Sequence, residues 1–175
     1  MEAPKAGASS AYDKDWNTID WQPVIAHVHR LQMRIAKAYR EGKKGKVHSL
    51  QRLLTHSYYA KLLAVKRIVQ NRGAKTPGID GVVWKTSRQK IQAARSLKRK
   101  GYKTQPLRRI YIPKKTKGTF RPLSIPTMEC RAQQALHLLS LEPIAEMIAD
   151  KNAYEGDFTL RKTVRLRAGQ FRQHF

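Results

Sequence analysis

The chain reads as a mainly helical α+β fold carrying one β-hairpin. Three patterns point to it: apolar residues recur at helical spacing in several runs before residue 100, residues 107–112 alternate as a strand does, and helical spacing returns from Ala132 to Ile144. At 175 residues the chain is long enough for one ordinary domain.

Residues 1–15 are small and polar and predict a disordered arm. Trp21, Val24, Ile25, Val28, Leu31, Ile35 and Ala38 predict a helix over 21–41 that stops before Gly42. Val47, Leu50, Leu53 and Leu54 mark a second helix, and Leu62, Leu63, Val65, Ile68 and Val69 a third, with Ser57 placed to cap it and Gly73 to end it. These stripes are expected to be core.

Thr76-Pro77-Gly78-Ile79-Asp80-Gly81 holds a Pro-Gly and an Asp-Gly around one Ile, which is the chemistry of a compact loop. Asp80 is expected to brace its own loop; as a metal ligand it stands alone and is rejected. Ile91, Ala94 and Leu97 give a short helix over 87–97. Next comes the hairpin: Leu107 to Ile112 forms one arm, with Ile110 and Ile112 on one face and Arg109 and Tyr111 on the other. Residues 114–118, Lys-Lys-Thr-Lys-Gly, supply the turn, and Phe120 to Ile125 return, with Pro122 confining that arm to an edge. Ala132, Ala135, Leu136, Leu138, Leu139, Leu141 and Ile144 describe a buried helix that Pro143 is expected to kink or end. Cys130 and His137 read as ordinary residues of that helix.

Charge is the strongest compositional signal. The formal net charge is +24, from 36 basic and 12 acidic residues, and between Gly42 and Met128 there are 23 basic residues and a single acid, Asp80. Such a field cannot be balanced locally; it concentrates polyanions and gives binding that weakens steeply with salt. Nucleic acid is the expected partner. An acidic membrane surface ranks second, because the amphipathic helices lack a wide aromatic face. Arg30, Arg34, Lys37, Arg40, Lys43, Lys44 and Lys46 crowd one region, and Arg95, Lys98, Arg99, Lys100 and Lys103 form a basic ridge leading into the hairpin.

The lone Cys130 excludes an internal disulfide, and no Cys/His spacing suggests zinc, so a reducing cytoplasm is the expected setting. The first ten residues lack an apolar signal region, and no run approaches 18 apolar residues.

Residues 106–126, PLRRIYIPKKTKGTFRPLSIP, resemble the fingers hairpin of group II intron-type reverse transcriptases. The similarity continues through Thr127–Leu136 and Leu141–Glu146, and upstream through Leu50–Leu54, Ala60–Val65 and Thr76–Gly81, covering roughly residues 15–154. The resemblance implies an N-terminal helical domain over 16–100 that contacts template RNA, with Arg30, Arg34, Lys37, Lys43, Lys44, Lys46, Lys98, Arg99 and Lys100 as RNA-contacting residues. It also implies a partial fingers region over 101–154. By the same resemblance Lys114 and Arg121 match the hairpin positions that contact the triphosphate of an incoming nucleotide, and arginine's planar fork beside lysine's movable charge suits that task. Lys115 and Lys117 either share it or belong to a generic RNA-contacting turn.

Template-directed nucleotide addition needs two metal ions held by closely placed carboxylates. In the resembled family those carboxylates lie in the palm, so Mg2+ is expected only for the complete polymerase, and no cofactor or catalytic residue is assigned to this chain. No Gly-x-Ser-x-Gly, Walker loop or His-Glu-x-x-His occurs either.

The chain departs from the family pattern at Ser124, where Gly is usual, and at Cys130, where an acid is usual. After Asn152-Ala153-Tyr154 the family continues Gly-Phe-Arg-Pro, whereas here Glu155-Gly156-Asp157-Phe158 leads into an atypical tail over 155–175. That tail reads as the product of a frameshift near codon 155. Three functional readings follow: a nonfunctional remnant of a reverse transcriptase, a stand-alone RNA-binding module, and one chain of a split enzyme completed by a separately encoded palm.

Overall fold

The computed structural model describes residues 15–98, 100–115 and 118–148. The expected arm, apart from Asp15, and the atypical tail lie outside the described residues. Among the described residues, five helices and one hairpin follow in order: α1 (Trp21–Arg40), α2 (Lys44–His56), α3 (Tyr58–Gln70), α4 (Ser87–Ser96), β1 (Arg108–Pro113), β2 (Phe120–Ile125) and α5 (Met128–Ile148), with short 3-10 turns at Trp16–Thr18 and Arg72–Lys75. This is the mainly helical α+β architecture that the apolar spacing predicts.

The start of α1 is set by Asp20, whose carboxylate accepts from the backbone N–H of Gln22 at 3.0 Å and so satisfies one of the unpaired donors of the first turn. The helix buries Val24, Val28, Leu31, Ile35 and Ala38, one stripe at alternating steps of four and three. Ile25 lies one step off that stripe and is 43% exposed. On α2 the buried residues are Val47, Leu50, Leu54 and Thr55. Leu53, expected in the core, falls outside that arc and is 51% exposed. Ser57 does stand at the N-cap position of α3, but its side chain makes no capping hydrogen bond. The capping chemistry appears at α4 instead, where Thr86 and Gln89 form a reciprocal capping box.

α5 completes the core. Its Met128, Ala132, Ala135, Leu136 and Leu139 join the buried side chains of α1–α4 in one cluster, and the small Ala132 and Ala135 let α5 approach its neighbours closely. Leu141, also expected inside, is 53% exposed. Pro143 does not end the helix, which continues to Ile148. A proline removes the N–H that would pair with the carbonyl four residues earlier, here that of Leu139. Gln32 of α1 takes its place, donating from Nε2 to the Leu139 oxygen at 2.8 Å. The neighbouring Ser140 oxygen accepts from Gln51 Nε2 of α2 at 3.1 Å. Arg67 of α3 pairs with the buried Glu142 at 3.0 Å, so α1, α2 and α3 each hold one polar link to the segment around Pro143.

The loop from α3 to α4 is held by Arg131 of α5. Its guanidinium donates to the carbonyl oxygens of Gly73, Thr76 and Pro126, which fastens the Thr76–Gly81 turn to the start of α5. Asp80 accepts from the backbone N–H of Val82 at 3.2 Å, the local bracing expected of it.

Candidate nucleic-acid interface

The hairpin is a two-stranded antiparallel sheet in the register Arg108↔Ile125, Arg109↔Ser124, Ile110↔Leu123, Tyr111↔Pro122, Ile112↔Arg121 and Pro113↔Phe120. The first arm is one residue later than the alternation predicts, and the second arm coincides with it. Gly118 closes the turn at φ 79°, a left-handed conformation that glycine adopts without steric cost, and the Lys114 N–H donates to the Thr119 carbonyl at 2.9 Å.

Facing residues in an antiparallel pair share a face, and faces alternate along each strand. Continuing the register through the Lys114–Thr119 hydrogen bond therefore puts Lys114 on the same face as Arg121, as diagonal neighbours, with Ile110, Ile112 and Leu123 beneath them. The two residues singled out for phosphate are thus brought together. Both are exposed, and among the described residues neither joins an ion pair. Lys115 follows in the turn and is exposed; Lys117 lies outside the described residues.

A second basic group lies on the helices. Arg30, Arg34, Lys37 and Arg40 line an open groove of about 550 Å³ on α1, together with Met33 and Glu41. Their spacing of four, three and three residues keeps them on one side of the helix. Lys43, expected to contact RNA, has an acid at hand: its ammonium lies 2.9 Å from Glu41, and that hydrogen bond, ahead of the burial that opposes it, holds the Glu41 carboxyl below its ordinary range.

Lys44 and Lys46 are exposed in the first turn of α2, a helix with no acid there and no side-chain cap. The partial positive charge at a helix N-terminus disfavours cations. These lysines are therefore not placed for the stability of α2, which is a signal readable in the sequence once the helix start is known.

The third group is the connection from α4 to the hairpin. Lys98 and Lys100 are exposed, and Arg99 lies outside the described residues. The Lys98 carbonyl accepts from Gln133 Nε2 of α5 at 2.7 Å, which anchors the backbone while the lysine side chain stays in solvent. Tyr102, further along, is tied to α5 through its hydroxyl, 2.6 Å from Cys130 Sγ.

Among the described residues no cluster of His, Cys, Asp or Glu could hold a metal ion, and no helix is long and apolar enough to cross a membrane. The site is a set of exposed cations on a helical platform and a hairpin.

Residues 16–97 match the family model described as the N-terminal domain of reverse transcriptase. The chain is 39% identical over 108 residues to the protein YkfC of Escherichia coli K12, covering 58% of this chain and 27% of the relative. It is also 39% identical over 88 residues to the group II intron-encoded protein LtrA of Lactococcus lactis subsp. cremoris, covering 49% of this chain and 15% of the relative. The chain thus spans about a quarter or less of the length of these curated relatives. Residues 16–97, which hold α1 to α4, thus match a reverse transcriptase N-terminal domain, and in this chain they are followed by a basic hairpin and by a helix that joins the same core cluster.

Proposed function

We propose that this chain binds RNA as the N-terminal part of a group II intron-type reverse transcriptase. In this reading the α1 groove residues Arg30, Arg34 and Lys37 contact the template backbone, together with Lys43, Lys44 and Lys46, the ridge at Lys98, Arg99 and Lys100, and the turn lysines Lys115 and Lys117. Lys114 and Arg121 hold the phosphates of a nucleotide. The observation that carries the reading is the single-signed charge from Gly42 to Met128, interrupted only by Asp80, displayed on exposed helix faces and on the hairpin.

The chemistry assigned is binding and orientation. Multiple lysines and arginines neutralise phosphates and release condensed counterions, so affinity falls with salt in proportion to the number of contacts. Polymerisation itself is assigned to a palm with its Mg2+-binding carboxylates, supplied in a longer product or by a separately encoded chain; a stand-alone RNA-binding module is the other form of the same reading. The cytoplasm suits either.

The test is binding of a labelled structured RNA to the chain across a salt titration from about 50 mM to about 200 mM. Tight binding at low salt that weakens steeply and linearly on a log–log scale is the expected result. No binding at the lowest salt, or affinity indifferent to salt, overturns the proposal. The split-enzyme form makes a separate demand: a neighbouring reading frame that encodes Gly-Phe-Arg-Pro and, further on, Tyr-x-Asp-Asp.

A further inference from the structure

Lys114 and Arg121 account for one face of the hairpin, and the opposite face is a different kind of surface. There Arg109, Tyr111 and Pro113 of β1 meet Ser124, Pro122 and Phe120 of β2. Tyr111 is 64% exposed and Phe120 59%. The Lys114–Thr119 hydrogen bond sets the alternation along the ladder, so the pairs Tyr111↔Pro122 and Pro113↔Phe120 fall at non-hydrogen-bonded sites. Facing side chains approach most closely at such sites. Each ring is therefore flanked by a proline across the strand, and Tyr111 and Phe120 are diagonal neighbours, a relation in which the backbones lie about 7–8 Å apart and aromatic side chains are within reach of each other.

Charge decides what covers these rings. From Gly81 to Met128 the chain contains no acid; Arg109 shares the face, Lys115 follows in the turn, and Arg108, Lys114 and Arg121 stand on the opposite face of the same two-stranded sheet. A ligand suited to this surface must offer flat apolar faces and negative charge together. Single-stranded nucleic acid does so at every nucleotide, because each base has a π-face and each linkage a phosphate. A duplex does not, since its bases are stacked on one another.

We infer that the Tyr111–Phe120 face of the hairpin is a stacking platform for unpaired bases of single-stranded RNA, with Arg109 on the adjoining phosphates. The inference rests on the RNA-binding reading above and adds the form of RNA and the residues that select it. The two hairpin faces then divide the work: phosphates of a nucleotide on one, unpaired bases on the other.

The experiment compares fluorescence anisotropy of a labelled oligouridylate and of a labelled blunt RNA duplex of the same length, using the full chain. The variants are Tyr111→Leu/Phe120→Leu, which keeps exposed apolar side chains, and Tyr111→Phe, which keeps both rings. The double leucine variant should lose about tenfold or more in affinity for the single strand, at a cost typical of one or two lost base stacks, and hold the duplex as the native chain does. Tyr111→Phe should bind both as the native chain does. Circular dichroism of each variant reports folding. Equal loss on both RNAs, or an unchanged hold on the single strand by the double variant, overturns the stacking platform and leaves RNA binding standing. Failure of the native chain to bind either RNA overturns both.

Discussion

Gln32 of α1 donates a hydrogen bond at 2.8 Å to the Leu139 carbonyl of α5, the acceptor that Pro143 deprives of its helical donor. Two residues 107 positions apart in sequence join their helices at the point where one of these lacks an internal bond. Replacing Gln32 by Leu should leave that oxygen without a partner in a buried setting and cost about 1–3 kcal/mol. In a Pro143→Ala background the backbone N–H returns, so the same replacement should cost measurably less. Urea denaturation of the four members of this double-mutant cycle checks it, and equal costs in both backgrounds would show that the two positions are independent.

Gly78 is required by close approach. A Cβ built there would lie 2.6 Å from Thr127 Cα and 2.7 Å from Thr127 N, and backbone atoms cannot swing away as a side chain could. Gly78→Ala should therefore destabilise by about 1–3 kcal/mol through overpacking, read as a lowered urea midpoint. Gly45→Ala, where nothing lies within 4 Å of the added Cβ, is the control and should not destabilise the chain.

Leu54 and Leu53 are adjacent leucines of α2 that differ in burial: Leu54 is fully buried and Leu53 is 51% exposed. Leu54→Ala should cost about 2–5 kcal/mol from lost transfer and cavity terms. Leu53→Ala should stay within about 0.5 kcal/mol. Denaturant titration of the two variants side by side checks the placement of α2.

Lys114 and Arg121 are exposed and serve no described ion pair, so replacing both by Ala should preserve the fold while weakening RNA and nucleoside triphosphate binding. If each meets one phosphate of a single strand, the log–log salt slope should become shallower by about 1.4 in total. Unchanged affinity for both ligands would remove these residues from the interface.

The Tyr102–Cys130 pair predicts a pH signature. Burial first, and then the hydrogen bond to Cys130, pushes the Tyr102 phenol up to about 12. Burial also acts to raise Cys130, but hydrogen bonds from Thr127, Tyr102 and the Gln105 and Thr127 backbone outweigh it and lower the thiol. For the phenol, raised in the folded state, the stabilisation is complete below its ordinary value of 10.0 and is lost as pH rises through about 12. For the thiol, lowered in the folded state, it is present above the ordinary 9.0 and is lost as pH falls through the folded value. Tyr102→Phe should move the thiol titration upward, followed by ultraviolet absorbance of the thiolate, and should remove the phenol's share of the alkaline decline. An unmoved thiol titration would mean that the phenol does not act on Cys130.

Helix positions and the hairpin were legible because they depend on local patterns. Val24, Val28, Leu31, Ile35 and Ala38 form a stripe whatever they pack against, and the turn ending in Gly118 is bounded by alternating arms. Leu53 and Leu141 were misplaced because a hydrophobic residue at the margin of a stripe is covered only if a neighbouring helix reaches it, and none of the described helices does. The α4 capping box was missed although its residues, Thr86 and Gln89, stand at the required spacing.

In the candidate site, the sign and density of charge were readable without coordinates. Which cations lie on one face was not: Lys114 and Arg121 are seven positions apart and share a face only because the register pairs Ile112 with Arg121, while Lys43 has Glu41 as a partner. The exposure of Tyr111 and Phe120 likewise depends on what packs against the hairpin.

The sequence by itself determined the helical periodicity, the hairpin, the charge field and the kinship of residues 16–97, because each is written in local spacing or composition. Only the tertiary structure decided how α5 continues past Pro143, why Gly78 admits no side chain and which face of the hairpin each residue occupies. Those outcomes depend on atoms brought together across long stretches of chain, where a hydrogen bond, a steric limit or a strand register exists only once the helices have packed.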